Sequence, residues 1–262
     1  MKWHRVYAIV LRHVYSLRHN FDRIADVFYW PAIDIFVWGL MSSYLNSGPW
    51  KSTNILVLIV SSLIFWIIAW RLPYETAITL LDDLWARNLV NIFVTPLQFS
   101  EWLSATTIVS GIKAFASFLW AVLLALLFFR VNVMTNGLYV ALFIFLLYLT
   151  GWTIGFLITA LIMRFGLKVQ AFAWTLGAII MPFSAIYYPV NILPTWAQQI
   201  ALFVPSSYVF ENIRQLQKFG TVSLNQLLFC FLMNSFYIII AVVLLHKSYI
   251  RVLKKGLTTL QA

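Results

Sequence analysis

Residues 131–163 read VNVMTNGLYVALFIFLLYLTGWTIGFLITALIM, a run without one Asp, Glu, Lys or Arg. About 20 apolar residues carry a helix across the ~30 Å hydrocarbon core of a bilayer, and this run exceeds that length. The runs 52–70, 114–129, 169–210 and 219–246 are uncharged as well. None alternates apolar and polar residues with period two, so helices are the expected spanning element rather than barrel strands. The whole chain follows suit: 62% of its 262 residues are hydrophobic and 10% charged, against roughly 25% charged in soluble domains. The expected fold class is all-α, a polytopic membrane protein forming one transmembrane domain over 1–262.

Six spans are expected, at 27–45, 54–71, 104–129, 138–162, 170–189 and 224–246. The first carries only Asp34, and the third begins before Lys113. Cations counted in the connecting segments orient the set. With the N-terminus inside, thirteen Lys and Arg fall on the cytoplasmic side, from Lys2 and Arg5 through Arg71 and Arg87 to Lys255. Four, Lys51, Arg130, Arg214 and Lys218, fall outside. Both termini are therefore expected in the cytoplasm. The net charge of +10 flanks apolar spans instead of forming a soluble basic face, which points to anionic headgroups and away from nucleic acid. The single cysteine, Cys230, excludes an intramolecular disulfide and a cysteine-based metal site. The first twenty residues lack the pattern of a cleavable signal peptide.

Three segments lie outside this pattern. In 1–23, Lys2, Arg5, Arg12, His13, Ser16, His19 and Asn20 share one arc of a helical wheel. Trp3, Val6, Tyr7, Val10, Leu11, Val14 and Leu17 share the other, as in a helix lying in the membrane interface. In 73–100 and the residue after it, Glu75, Asp82, Asp83 and Glu101 make up half of the chain's eight carboxylates. Residues 73–86 read as an amphipathic helix outside the lipid, and Leu89–Val94 as a separate short helix that Pro96 terminates. In 190–220, Pro194 and Pro205 break an apolar stretch into short helices that re-enter the outer interface.

Chemistry is sparse. Asp82-Asp83 with Ala86-Arg87 faintly resembles a phosphatidyltransferase pattern, but its glycines and further carboxylates are missing, so neither a metal site nor a catalytic residue is expected. His4, His13 and His19 have no ligand-spaced partners, and no phosphate-binding loop exists. An ion-coupled carrier or channel is the alternative to weigh. Carriers bury several ionisable groups, and here only Asp34 and Lys113 fall within expected spans, as candidates for a translocation path or for structural roles.

Asn88-Leu89-Val90-Asn91-Ile92-Phe93-Val94-Thr95-Pro96-Leu97, followed by Glu101-Trp102-Leu103, resembles the permease subunits of type-2 ATP-binding-cassette exporters. So does Leu193-Pro194-Thr195-Trp196 with Val204-Pro205-Ser206-Ser207-Tyr208-Val209-Phe210-Glu211-Asn212-Ile213-Arg214, which is similar to that family's external hairpin before the last span. The resemblance implies a half-transporter, a homodimer or a pair with a similar permease, driven by separate ATPase subunits that bind ATP and Mg. This chain would then hold no cofactor and would not be an enzyme. It would move an amphiphilic drug, lipid or lipid-linked glycan outward. It further implies a coupling helix near Trp85–Val94, with Asp82, Asp83, Trp85, Arg87, Asn88, Asn91 and Phe93 facing the ATPase, and an external gate at Pro205, Tyr208, Glu211 and Arg214. The family's coupling turn often contains a glycine, which Ala86-Arg87-Asn88 lacks.

Overall fold

The computed structural model describes residues 1–47 and 55–255. Ten α-helices follow one another: α1 (Trp3–His19), α2 (Phe21–Ser47), α3 (Ile55–Trp85), α4 (Leu89–Val94), α5 (Phe99–Phe129), α6 (Gly137–Phe165), α7 (Phe172–Ile180), α8 (Thr195–Ala201), α9 (Pro205–Phe219) and α10 (Leu224–Lys255). Among the described residues there is no strand. Five stretches of the described residues are long and apolar enough to cross a bilayer: Phe21–Leu45, Leu56–Trp85, Phe99–Phe129, Met134–Val169 and Leu224–Lys254. The chain is an all-helical, multi-pass membrane protein.

The expected fifth span, 170–189, is corrected in form: it is not one continuous helix. Its apolar helix covers only Phe172–Phe183, about 18 Å at 1.5 Å per residue and short of a bilayer core. Pro182 lies in a closing 3-10 turn, and Ala185 then takes a left-handed φ of 57° that reverses the chain. Phe145 stacks on Phe231 and Thr150 bonds Asn234, so α6 and α10 run parallel. The chain between them therefore returns along the bundle in pieces: α7, turns, α8 and α9.

A second correction concerns 73–86. These residues are not a separate helix outside the bundle but the last turns of α3, which runs unbroken through Pro73. Their carboxylates lie toward neighbouring helices, with Glu75 and Asp83 buried. Helix α3 is the hub, packed on α2, α5, α6, α7 and α9. Its crossing with α6 is close because Gly151 and Gly155 sit opposite Leu72, Pro73 and Thr76.

Proline inside α2 is accommodated by a neighbour. Pro31 has no N–H to offer the Val27 carbonyl four residues back, and the Ser117 hydroxyl of α5 donates to that oxygen at 2.8 Å. The Trp120 indole donates to the next carbonyl, Phe28, at 3.0 Å. Together they tie α2 to α5 at the depth where the helix would otherwise expose an unsatisfied group to lipid. Around the perimeter, Val37, Leu40 and Tyr44 of α2 and Leu228, Leu232 and Phe236 of α10 stand exposed, as lipid-facing side chains do.

Candidate functional site

Two features stand out: a bend carried on an ion-pair network at the end of α3, and an aromatic cavity higher along the same helix.

The bend ends α3 in a Schellman motif. The Asn88 N–H donates to the Asp83 carbonyl at 2.9 Å and the Arg87 N–H to Leu84 at 3.1 Å. The left-handed position usually given to glycine is held by Arg87, with φ 53°, so the turn forms without the expected glycine. Helix α4 follows, with Asn91 Nδ2 donating to Asn88 Oδ1 at 2.9 Å. Thr95-Pro96 ends it, and the Arg5 guanidinium donates to the Pro96 carbonyl. Trp85, Ala86, Arg87, Asn91 and Val94 are exposed, while Leu89 is buried as the anchor. The Trp85 indole donates to Gln170 at 3.1 Å and so joins the bend to the segment that starts α7. The Phe93 side chain lies outside the described residues.

Helix α1 is amphipathic as expected, and two arginines of its basic arc turn toward carboxylates of the bundle while Lys2 and Ser16 stay exposed. Arg12 pairs with Asp83 at 2.8 Å and Arg5 with Glu101 at 3.3 Å, while Trp3, Tyr7 and Val14 point outward. Asp82 pairs with Arg23 of α2. Glu101 also closes a capping box with Gln98 and accepts the Lys2 N–H at 2.7 Å. Deeper in, Glu75 lies between Arg71 and Lys113 (2.8 Å to the latter), and Arg71 also reaches Asp26 at 3.4 Å. The aspartates expected at a partner surface are thus matched within the chain, and Lys113 is a buried partner of Glu75.

His13 sits in this network as a neutral imidazole: its Nε2 accepts a hydrogen bond from Arg12 at 3.1 Å. Burial, then the Arg12 and Lys113 charges, lower its pKa to about 3, with Glu75 opposing. Below pH 6.5 the unfolded chain protonates this group while the folded chain does not, so stability falls with pH from about 6.5 toward about 3. We expect at most about 2 kcal/mol lost by pH 5. Unfolding in detergent micelles at pH 7.5 and 5.0 checks this, since His13→Gln should remove the difference.

The cavity, of about 420 Å³, lies between α2, α3 and α7. Trp30, Trp66, Trp70, Trp174 and Tyr187 line it together with Asp26, Asp34 and Arg71. Trp30 and Trp174 are exposed at its rim and Trp66 is buried. Trp38 stacks on Tyr187 at 4.5 Å and fixes that wall. Of the two candidates for a translocation path, Asp34 lines this cavity and Lys113 does not. The tryptophans were legible as i,i+4 pairs, Trp66 with Trp70 and Trp30 with Asp34, but their meeting needed the tertiary fold.

At the opposite end, Glu211 and Arg214 pair at 3.1 Å. Glu211 also accepts the Val190 N–H at 2.6 Å, and Arg214 donates to the Ala185 carbonyl at 2.7 Å. They staple α9 to the turn after α7. Pro205 opens α9, and the Tyr208 hydroxyl donates to Leu202 at 2.9 Å, closing α8 onto α9.

No known family model and no characterised protein matches the sequence. The functional reading rests on the residues and this geometry.

Proposed function

We propose that the chain is the transmembrane subunit of an ATP-driven exporter, moving an amphiphilic substrate outward and powered by separate ATPase subunits. In this reading six segments cross a bacterial inner membrane, with α7 to α9 as the broken fifth. The α1 end faces the cytoplasm, and two such units form the pore. One observation carries the reading: the exposed bend Trp85–Val94 projects from a helix that also walls a cavity, and ion pairs to α1 and α2 fix it rigidly. A surface that must receive a mechanical push needs that combination of exposure and support.

The network makes α1, Asp82 and Asp83 the seat of the bend, leaving Trp85, Arg87, Asn88 and Asn91 as the contact residues. Arg87→Gly is the informative variant, because glycine keeps the left-handed turn while removing the cation. With Trp85→Ala added, ATPase-driven export should drop at least tenfold in proteoliposomes while the permease remains folded. Unchanged export, or a solubilised chain that never co-purifies with an ATPase, would sink the reading.

A carrier driven by ions is the second reading, and one observation favours it. Long helices bury Arg71, Glu75 and Lys113, more ionisable groups than the expected spans contained. All three are paired in the chain, which suits a structural network better than a proton relay. Transport that persists without ATP and stops when the proton gradient is collapsed would select this alternative.

A further inference from the structure

We infer that the cavity between α2, α3 and α7 binds an organic cation bearing aromatic or alkyl bulk, with Asp34 as its counter-ion. This deepens the export reading, on which its physiological meaning rests, by naming the substrate class.

The charge balance around the cavity leads there. Arg71 is shared between Asp26 and Glu75, and Lys113 also serves Glu75. Asp26 further accepts the Tyr74 hydroxyl. Among the described residues, no ion pair or hydrogen bond engages Asp34. Three carboxylates, Asp26, Asp34 and Glu75, therefore face two cations, and the surplus negative charge sits on the cavity wall. A partly buried charge calls for a partner.

The walls select the sign and shape of that partner. Tryptophan faces carry the negative lobe of the ring quadrupole, which attracts cations and disfavours anions. Among the described residues Arg71 is the one cation lining the cavity, and its charge is balanced by Asp26 and Glu75, so an anionic headgroup would meet a wall of net negative charge. A neutral sugar would stack on the same rings, but its hydroxyls would leave the Asp34 charge uncompensated. The volume of about 420 Å³ falls within the ~300–1,000 Å³ of small-molecule sites. The exposed rim at Trp30 and Trp174 lets a ligand enter from the side.

The test uses two ions of the same shape and opposite charge, tetraphenylphosphonium and tetraphenylborate, titrated against the purified chain in lipid nanodiscs with tryptophan fluorescence as readout. The phosphonium should bind saturably and the borate should not. Asp34→Asn should weaken phosphonium binding at least tenfold. Trp174→Leu, a change at an exposed position that leaves the core untouched, should weaken it at least threefold. The inference is overturned if the phosphonium shows no saturable binding, if Asp34→Asn binds it as wild type does, or if the borate binds equally well. The assay contains no ATPase. Failure here leaves the exporter reading standing, and a chain that binds the cation yet never associates with an ATPase would lose only that reading.

Discussion

Glu75→Ala destabilises the bundle by about 3–5 kcal/mol, the cost of breaking a buried ion pair from one side. Glu75 is 2% exposed, and its two oxygens serve Arg71 and Lys113 separately. Truncation leaves Arg71 with Asp26 as its remaining carboxylate and leaves the Lys113 ammonium buried without its partner. The Arg71 Nε already lacks a hydrogen bond, so the site has no slack to absorb the loss. Replacing both ends tests the cause. Glu75→Leu with Lys113→Met removes the charge pair together and should recover most of the stability, because an apolar pair of similar volume avoids desolvation altogether. Reversible unfolding in mixed micelles measures both variants. A Glu75→Ala protein within 1 kcal/mol of wild type would show that water reaches the network.

Gly155→Leu yields no folded protein, and Gly155→Ala costs about 1–3 kcal/mol. A Cβ at Gly155 would stand 2.8 Å from Thr76 Cβ and 3.2 Å from the Pro73 Cα. Turning the threonine hydroxyl aside leaves its Cβ in place, and the proline Cα is backbone, so the helices must separate. Gly151 repeats the constraint one turn earlier, with the Leu72 Cβ at 2.6 Å. Small residues four apart let helices approach within dispersion range in a medium that offers no hydrophobic drive between them. Gly137→Ala, with no atom within 4 Å of the added methyl, is the silent control. Expression and monodispersity in detergent separate the three variants. A well-folded Gly155→Leu would mean that the α3–α6 crossing is not the one described.

Uncharged runs located α5, α6 and α10 well, because a bilayer-length apolar run has few alternatives. The same logic failed at α3. Glu75, Asp82 and Asp83 read as a polar face outside the lipid, and their partners Arg12, Arg23 and Lys113 lie on three other helices. Periodicity within one segment cannot reveal a charge supplied by another. The basic arc of α1 has the expected spacing, but that two of its arginines, Arg5 and Arg12, pair with Glu101 and Asp83 was hidden for the same reason. At 170–189 the expectation of one continuous helix overlooked the stop at Pro182. Gly151-Trp-Thr-Ile-Gly155 was a readable signal for close helix contact, though not for which helix it meets. At the bend, missing glycine argued against a familiar geometry that Arg87 adopts regardless, stabilised by the two hydrogen bonds of the Schellman motif.

The unbroken course of α3 has a mechanical consequence. The Gly155 contact at Pro73 and Thr76 divides the helix, leaving about 15 Å to Trp85 on one side and about 13 Å to Trp66 on the other. For as long as the helix stays straight, that crossing is a fulcrum with nearly equal arms. A sideways displacement at the bend would then reach the cavity wall with similar size and opposite direction, so the two sites on this helix are mechanically linked through one crossing.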